Sequence, residues 1–466
     1  MPVTPKIITR TNASVDVINA IRNDASMDYR NHVPLATPDA ESIRKIGAII
    51  MDYPALQNEF LEALINRIGK VIIQSKLYSN PWSMLKKGYL EYGESIEEIF
   101  VDLAKPFQYD PAVAERMIYK REKPDVKSAF HIQNYRKFYK TTVQEKDLKL
   151  AFLSWEGVNN LIRKIVEELY TSANYDEFLV MKYMLIRAIL DGKLYATNIA
   201  DNTSTTKRAK VLDLAVALRG ISNKLEFMKR TYNLAGVATH SLKEAQYIFI
   251  DADTEAMYDV HNLAAAFNMS KAEYLGHRVL VDDWSEIDAE RLAEIFEFDE
   301  TYVPLSAAEL EVMSKVQAVV VDRDWFQIYD NMDTMTNKYN EEGLYWNYWY
   351  HVWKTFSISP FANAVVFVND ANTIAVTAVT VSPDAVTVTP GQNIQFVASV
   401  TTNGFAPKTV VWSVDDDAAA AGVTITQSGT VIIPADLDAS VTEITVTAAS
   451  VYTPEVTDTA TVTVSS

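Results

Sequence analysis

The chain has 466 residues, a net charge of −18 and no cysteine. Its length predicts two or more domains, and its negative charge argues against a protein that grips nucleic acid by neutralising phosphates. The lack of cysteine excludes disulfides, thiol nucleophiles and cysteine-ligated metals. The first residues do not read as a signal peptide, and no apolar stretch of about 18 residues predicts a membrane span.

Two helices are predicted in the front part of the chain. Over residues 54–68, Pro54 stands at a favourable first helical position and Gly69 provides a stop. A longer amphipathic pattern covers residues 156–191, and a helix of that length would extend about 54 Å. Between the two helices the sequence has no single period, which predicts an extended, partly stranded excursion.

A βα pattern begins near residue 210, with strands predicted over 245–253, 277–284 and 316–330. Asp251 and Asp253 follow the first of these strands and have two interpretations. They could bind a metal ion, or they could cap the next helix, with Asp253 or Thr254 as the N-cap. Capping is favoured, since a calcium loop would need glycine at the position of Ala256.

Other sequence motifs that would indicate a catalytic or ligand-binding site are weak. The six histidines are dispersed and none shows the spacing of a zinc helix. No glycine-rich phosphate loop occurs, so no catalytic residue, metal or cofactor is predicted. The basic aromatic stretches "MLKKGY" (84–89) and "YRKFYK" (135–140) could stack on bases. At this net charge, a solvated or subunit-contacting role is favoured for both.

The most unusual stretch is "LYWNYWYHVWKTF" (344–356). Its aromatic residues are Tyr345, Trp346, Tyr348, Trp349, Tyr350, Trp353 and Phe356. In a strand, Tyr345, Trp349 and Trp353 would point one way, and Trp346, Tyr348 and Tyr350 the other. A sugar-binding platform needs aromatic residues on one open face, so burial on both faces is favoured. We therefore hypothesise a long strand that lies along the helix of residues 156–191.

The composition changes near residue 370. Residues 371–466 are rich in Val, Thr, Ala and Ser, and one basic residue against nine acidic ones gives them a net charge of −8. About seven short alternating strands are predicted, with Trp412 in their core, which is typical of an antiparallel β-sandwich. The short, polar linker before them predicts a separate domain that folds alone.

Several segments resemble the major capsid proteins of phi-29-like short-tailed phages. The strongest are "GLYWNYWYHVW" (343–353) and "PFANAVVFV" (360–368). Further matching segments appear in the same order: "VINAIRN" (17–23), "VPLAT" (33–37), "NRIGKVII" (66–73), "SIEEIFVDLAKPFQYD" (95–110), "LAFLSW" (150–155), "IDADTEAMYDVHNLAAAFNM" (250–269) and "DRDWFQIYDN" (322–331). The tail resembles the bacterial Ig-like group 2 module.

The resemblance implies an α+β chain with the Hong Kong 97-like capsid fold over residues 1–370, followed by an all-β Ig-like domain over 371–466. The implied parts of the capsid domain are an N-terminal arm (about 1–55), an extended loop (75–145), a spine helix (156–191), an axial domain (210–315) and return strands of the peripheral domain (316–368). The aromatic residues would then tie the long strand to the spine helix and to neighbouring subunits.

The resemblance also implies partners. The chain would bind copies of itself in hexamers and pentamers of an icosahedral or prolate shell, with a scaffolding protein and a portal or connector. Double-stranded DNA would be enclosed by non-specific proximity only, and no membrane would be contacted. The Ig-like domain could touch a host surface or a neighbouring capsomer. Assembly would take place in the host bacterial cytoplasm, and the final location would be the virion.

Two alternatives of another class remain at this point. A secreted or surface carbohydrate-binding adhesion protein is suggested by the Ig-like module, but it would need a signal peptide. A metal-dependent transferase would depend on Asp251 and Asp253 alone.

Overall fold

The computed structural model of the chain describes most of its residues. The described ranges are 13–53, 55–57, 59–60, 78–90, 95–104, 106, 126–146, 152, 157–199, 207–261, 277–369, 374–426 and 428–465. These residues belong to two compact units. The first unit comprises Met1–Glu94, Gln133–Phe178 and Ile328–Phe356, and the second comprises Ser95–Ile132, Leu179–Gln327 and Ser357–Ser466.

Three helices begin the first unit: α1 (Ala13–Asp24), α2 (Met27–His32) and α3 (Ala40–Asp52). Ser26 caps α2, because its side chain accepts a hydrogen bond from the Tyr29 amide. The side chain of Asn19 both donates to and accepts from the backbone of Ala36, at 2.9 and 2.8 Å. This pair fixes the return of the chain after α2.

The first unit contains a sheet of four strands. They are β1 (Gly88–Tyr89), β4 (Tyr135–Gln144), β9 (Phe326–Asn340) and β10 (Tyr345–Ile358), in the order β1-β9-β10-β4. β10 and β4 are antiparallel, with Tyr350 opposite Tyr139, while β1 and β9 are parallel. The turn between β9 and β10 places Leu344 at a φ of 50°, which is uncommon for a residue with a side chain.

The longest helix, α4 (Gly157–Leu190), lies where the sequence predicts one over 156–191. Its residues up to Phe178 belong to the first unit and the rest to the second. Gly192 ends it with a φ of +68°, the left-handed conformation that favours glycine after a helix.

The second unit is built on a sheet of five strands. They are β5 (Tyr195–Asn198), β6 (Gln246–Asp251), β7 (Arg278–Val281), β8 (Val316–Asp322) and β11 (Ala364–Val368), in the order β5-β11-β8-β6-β7. The outer pairs, β5 with β11 and β6 with β7, are parallel, and the inner pairs are antiparallel. Every residue of β11 is buried, as expected for a strand covered on both faces.

The second unit also contains the helices α5 (Lys207–Leu225), α6 (Ala252–His261), α7 (Ala289–Ile295) and α8 (Ala307–Met313). Leu214, Leu218, Ile221 and Leu225 recur at helical spacing on α5 and form one hydrophobic core with Ile248, Val320, Val365 and Phe367 of the sheet. Ser306 and Glu309 form a capping box that begins α8.

A two-stranded ribbon also belongs to the second unit. It pairs β2 (Ser95–Val101) with β3 (Val126–Ile132), so that Glu97 is opposite Phe130. One face of the ribbon is anchored. Phe100 stacks on Phe361 with ring centroids 5.6 Å apart, and the buried His131 contacts Ser357 and Glu98 at 2.8 and 3.1 Å.

The described residues of the tail, 374–426 and 428–465, form nine strands and one short helix, α9 (Asp416–Ala420). The strands are β12 (Ala375–Ser382), β13 (Ala385–Val388), β14 (Asn393–Gln395), β15 (Val397–Asn403), β16 (Val410–Val414), β17 (Thr424–Ile425), β18 (Thr430–Ile432), β19 (Glu443–Ser450) and β20 (Thr457–Val464). They form three sets: β12-β15, β13-β20-β19-β16 and β14-β18-β17. All pairs are antiparallel except β13 with β20.

The tail contacts other residues of the second unit. The Lys408 amide donates to the Gly192 carbonyl at 3.3 Å, and the rings of Tyr195 and Tyr452 lie 5.4 Å apart. The short, polar linker near residue 370 predicts few contacts between the tail and the rest of the chain. Residues 370–373 of the linker lie outside the described residues, and the independence of the tail stays a prediction.

Some sequence predictions need correction or cannot be followed. The run 316–330 is not continuous, because the chain turns between β8 and β9, where the Asp322 side chain accepts from the Asp324 amide at 2.9 Å. Of the helix predicted over 54–68, only 55–57 and 59–60 are described, and they are helical. Of the extended loop predicted over 75–145, residues 75–77, 91–94, 105 and 107–125 lie outside the described residues.

Candidate functional site

The aromatic strand β10 has two unequal faces. The even-numbered side chains from Trp346 to Phe356 are buried, while Trp349 and Trp353 on the other face are only half-buried. Burial on both faces, which the sequence favours, is therefore incomplete within one chain. Phe356 is buried at the end of the strand, where its ring packs edge-on against Tyr135.

The buried face of the sheet lies against α4. The ring of Tyr170 is 4.3 Å from that of Tyr350, and the Tyr139 hydroxyl donates to Asp176 at 2.7 Å. Burial raises the pKa of the Tyr170 hydroxyl to about 12, and the charge of Asp333 adds to the rise. The hypothesis of a long helix along a long strand is confirmed over residues 168–177.

Four charged side chains meet between the helix and the sheet. Lys354 of β10 contacts both Glu177 of α4 and Asp330 of β9, and Lys86 contacts the same two carboxylates at 3.3 and 2.5 Å. Asn80 donates to the second oxygen of Glu177 at 2.6 Å. Glu177 is 3% exposed, so its charge depends on these partners.

The contacts within this ionic cluster lower the pKa of Asp330 and raise the pKa of Lys354. Burial would raise the pKa of Asp330, but the charges and hydrogen bonds of Lys354 and Lys86 hold it below its usual value. Burial would lower the pKa of Lys354, but Glu177 and Asp330 raise it above its usual value. Asp330 and Lys354 are thus each held in the charged form by their neighbours.

The ionic cluster was not found by sequence reasoning. Its members come from the segment before β1, from α4, from β9 and from β10, so no local spacing links them. One signal was present, because Lys354 is a lone ammonium in a strand of aromatic residues, and such a group needs a buried counter-charge.

The opposite face of β10 and β4 is basic and aromatic. The guanidinium of Arg136 lies 5.4 Å from the ring centre of Trp353, and the ammonium of Lys140 lies 5.8 Å from that of Trp349. Both are cation–π distances. The stretch "YRKFYK" is therefore a strand of the sheet, and its exposed residues stack on the tryptophans of β10.

Trp412 lies in the tail, apart from these residues in the chain. It is on β16, opposite Ala448 of β19, and is 9% exposed. A Cβ atom on Gly429 would approach its ring within 3.0 Å, so the packing around it is close.

One of the two acidic residues at the end of β6 caps the next helix, as predicted, but it is not the residue that the sequence predicted as the cap. Asp251, not Asp253 or Thr254, accepts from the amides of Asp253 and Thr254, both at 3.0 Å. Within the ranges that the structure describes, no group of three or more His, Asp or Glu side chains could hold a metal ion. No helix there is long and apolar enough to cross a membrane.

The cap gives a testable difference between the two acids. Asp251→Ala should lower the free energy of unfolding by about 0.5–2 kcal/mol, because two amides lose their acceptor. Asp253→Ala should change it by less than about 0.5 kcal/mol, since this side chain is exposed. Urea unfolding of both variants measures the difference, and equal losses would contradict Asp251 as the cap.

Known proteins resemble this chain closely. The family profile of Phi29-like phage major capsid proteins matches residues 18–368. The major capsid protein of Bacillus phage PZA is 36% identical over 413 residues, which cover 88% of this chain and 85% of that protein. That of Bacillus phage B103 is also 36% identical, over 91% of this chain and 87% of that protein.

Such matches place the chain among the structural proteins of virus particles. It belongs to the Phi29-like phage major capsid protein family. The chain is thus a major capsid protein of a bacteriophage and a component of the virion, and the adhesion and transferase alternatives are not retained. Among solved structures, the capsid of Staphylococcus phage Andhra is 14% identical with a TM-score of 0.49, over 64% of this chain and 86% of that one.

Proposed function

We propose that copies of this chain build the closed head of a small tailed phage around double-stranded DNA. Hexamers and pentamers would share one icosahedral or prolate shell. A shell requires each chain to make several different heterologous contacts that close. The observation that carries the proposal is the ribbon of β2 and β3, which presents an apolar face that the described chain leaves uncovered.

The outer face of the ribbon carries five large apolar side chains. They are Ile99, Val101, Val126, Phe130 and Ile132, each between 51% and 62% exposed. The register places Val101 opposite Val126 and Ile99 opposite Ser128, while Phe130 and Ile132 lie opposite Glu97 and Ser95, so the five apolar side chains form a strip on one face of the ribbon together with three polar ones. Monomeric proteins rarely leave such a strip in water, and contiguous apolar patches mark contact sites.

The ribbon is also held firmly at its base. Arg230 binds Asp102 through two hydrogen bonds of 2.6 and 2.9 Å. Burial would raise the pKa of Asp102, but the hydrogen bond from Arg230 holds it below its usual value. We assign the strip to contact with an adjacent subunit.

Removing the apolar strip should stop assembly without unfolding the chain. The variant Phe130→Ser with Ile132→Ser should keep the wild-type melting temperature, since both side chains are exposed, and should form few or no shells. Phe227→Ser is the control, because Phe227 is exposed but lies outside the ribbon. Electron microscopy after co-expression with the head-assembly proteins is the test. Wild-type yields from the ribbon variant would contradict the assignment.

The finer architecture is part of the proposal. The chain would adopt the Hong Kong 97-like capsid fold, with α4 as the spine helix, the ribbon as part of the extended loop, residues 210–315 as the axial domain, and the strands within 316–368 as return strands of the peripheral domain. The contact of α4 with β10 supports this assignment, because a rigid helix–sheet layer is what a spine must provide.

The proposed partners are a scaffolding protein and a portal or connector. Assembly would take place in the host bacterial cytoplasm. DNA would be enclosed without specific contacts, since the net charge is −18. The proposed role is structural, with no catalytic step and no cofactor.

For the tail we propose an Ig-like domain on the outer surface of the head. Its strand pairing and the buried Trp412 support an independent β-sandwich core. Its net charge of −8 would repel packaged DNA from the inside. It would contact either a host surface or a neighbouring capsomer.

A chain that ends after Asp370 should still fold and build shells, because the tail has its own core. Truncation exposes Tyr195 where Tyr452 covers it, so a small loss of stability is expected. Tyr452→Ala in the full chain is the matched control for that lost contact. Circular dichroism and electron microscopy are the measurements. If the truncated chain is unfolded while Tyr452→Ala is normal, the tail and the rest share one core.

A further inference from the structure

The basic aromatic face of the first unit is formed by the adjacent strands β10 and β4, which contain no acidic residue. We define this face by Arg136, Phe138, Lys140, Trp349, His351 and Trp353. Neither β4 nor β10 contains any Asp or Glu, although the whole chain has 61 acidic and 43 basic residues. Asp330 and Asp333 of the neighbouring β9 interact with Lys354 and Tyr350 of the buried face. The basic aromatic face therefore stays positive.

This face is also partly open. Phe138 is 60% exposed, Arg136 and Lys140 are exposed, and Trp349 and Trp353 are half-buried. The two cations lie over the tryptophan rings, so the face alternates charge and apolar surface within a few ångströms. A matching partner needs carboxylates beside an apolar group.

Such a partner exists within the chain itself. Residues 282–300, the acidic segment, hold nine Asp or Glu residues and one Arg, a net charge of −8. Phe298 stands within this segment and is 88% exposed, with the exposed Glu297 and Glu300 close to it in sequence. A large apolar side chain exposed to this degree on a charged loop is a second indication of a contact.

The turn that carries Phe298 is held in place. Phe296 stacks on Tyr302 with ring centroids 4.9 Å apart, and both rings contact Tyr183 of α4. The Asp299 side chain accepts from the Thr301 amide at 2.9 Å and closes the turn. Phe298 is therefore presented by fixed neighbours, which reduces the entropy lost when it docks.

We propose that the acidic segment of one copy docks on the basic aromatic face of a second copy, with Phe298 against the exposed rings. This contact is heterologous, since the two surfaces differ, and it can recur around a ring of subunits. The inference rests on the proposed shell function and names one of its contacts. Complementary charge would speed the encounter and fix the register of the two copies.

DNA is the weaker candidate for this face. A duplex offers phosphates but keeps its bases stacked, so it would leave Phe138 and the tryptophans without an apolar partner. The acidic segment offers both the charges and Phe298.

A charge exchange tests the proposal. Arg136→Glu with Lys140→Glu should lower the yield of shells about tenfold or more, because like charges would face each other. Adding Glu297→Lys with Glu300→Lys to the same chain should restore much of the yield. The control is Arg44→Glu with Lys45→Glu, an equal change of charge at exposed positions of α3, which should assemble as the wild type does.

Cross-linking gives a direct and separate readout, since the natural chain has no cysteine. Shells made from a mixture of Lys140→Cys and Glu300→Cys chains should yield disulfide-linked dimers on oxidation, because a disulfide forms only when the two Cα atoms lie within about 7 Å. A mixture of Lys45→Cys and Glu300→Cys chains should not.

The possible outcomes distinguish a failure of the proposed contact from a failure of the proposed shell function. Suppose that the wild type and the control form shells. If the face variant then also assembles normally, the contact is wrong while the proposed function stands. The same conclusion follows if the face variant is not rescued by the added lysines and no cross-linked dimers form. If neither wild type nor control forms shells, the proposed function fails. DNA bound to wild-type shells and lost in the face variant, with no cross-links, would overturn the contact in favour of DNA.

Discussion

Lys354→Met should destabilise the first unit by about 3–5 kcal/mol, because it leaves buried carboxylates with too little positive charge. Glu177 would keep Lys86 and Asn80 as its partners among the described residues. Lys338→Met on the neighbouring strand β9 is the matched control, and it should cost less than about 0.5 kcal/mol because Lys338 is exposed. The measurement is urea unfolding followed by tryptophan fluorescence.

A triple variant separates the loss of a charge from the loss of packing. Adding Glu177→Gln and Asp330→Asn to Lys354→Met removes the unpaired carboxylates, so most of the lost stability should return. If Lys354→Met costs no more than the exposed control, the ionic cluster does not hold the helix to the sheet.

The stabilisation by the ionic cluster should depend on pH in a defined window. Asp330 has a folded-state pKa below the usual value of about 3.9, so its contribution is complete above that pH and is lost as the pH falls through the lower folded value. Lys354 has a folded-state pKa above the usual value of about 10.4, so its contribution is complete below that pH and is lost as the pH rises through the higher folded value. The difference in unfolding free energy between wild type and Lys354→Met should therefore be flat between about pH 5 and 9 and shrink outside.

Tyr348→Ala should cost about 3–5 kcal/mol, as large-to-small changes in a packed core do. Its side chain is fully buried on the face of β10 that lies against α4. The adjacent Trp349 is the natural comparison, because it is larger but half-buried on the opposite face. Trp349→Ala should cost about 1–2 kcal/mol, mainly from lost apolar contact and the lost stacking of Lys140.

The order of these two losses is the decisive result. If Trp349→Ala is the more damaging change in the isolated chain, the two faces of β10 have been assigned wrongly. If Trp349→Ala impairs assembly more than stability, the exposed face has the contact role proposed for it.

Much of the fold could be predicted from the periodicity of apolar residues in the sequence. The stripe of apolar residues over 156–191 predicts a long helix, and the aromatic run predicts a long strand, because burial against one neighbour imposes a repeat on each. The same reasoning found the helix after Asp251 but chose the wrong cap, since Asp251, Asp253 and Thr254 are all good N-cap residues and only the local backbone distinguishes them.

The ionic cluster and the inequality of the two β10 faces were beyond sequence reasoning. Lys86, Glu177, Asp330 and Lys354 lie far apart in the chain, and only the packing of α4 on the sheet joins them. Alternation shows which residues of β10 share a face, but it does not show which face is covered. The turn after Asp322 could not be predicted from the sequence, because the residues on both sides of it have the pattern of strands.

Electron microscopy of the full chain tests the central claim most directly. The chain is produced in bacteria with and without the scaffolding and portal proteins of its phage, and the particles are imaged after purification. We expect closed shells of uniform size built from hexamers and pentamers, with density for α4 along β10 in every subunit. A chain that stays monomeric in every combination, while folded by circular dichroism, would contradict the account.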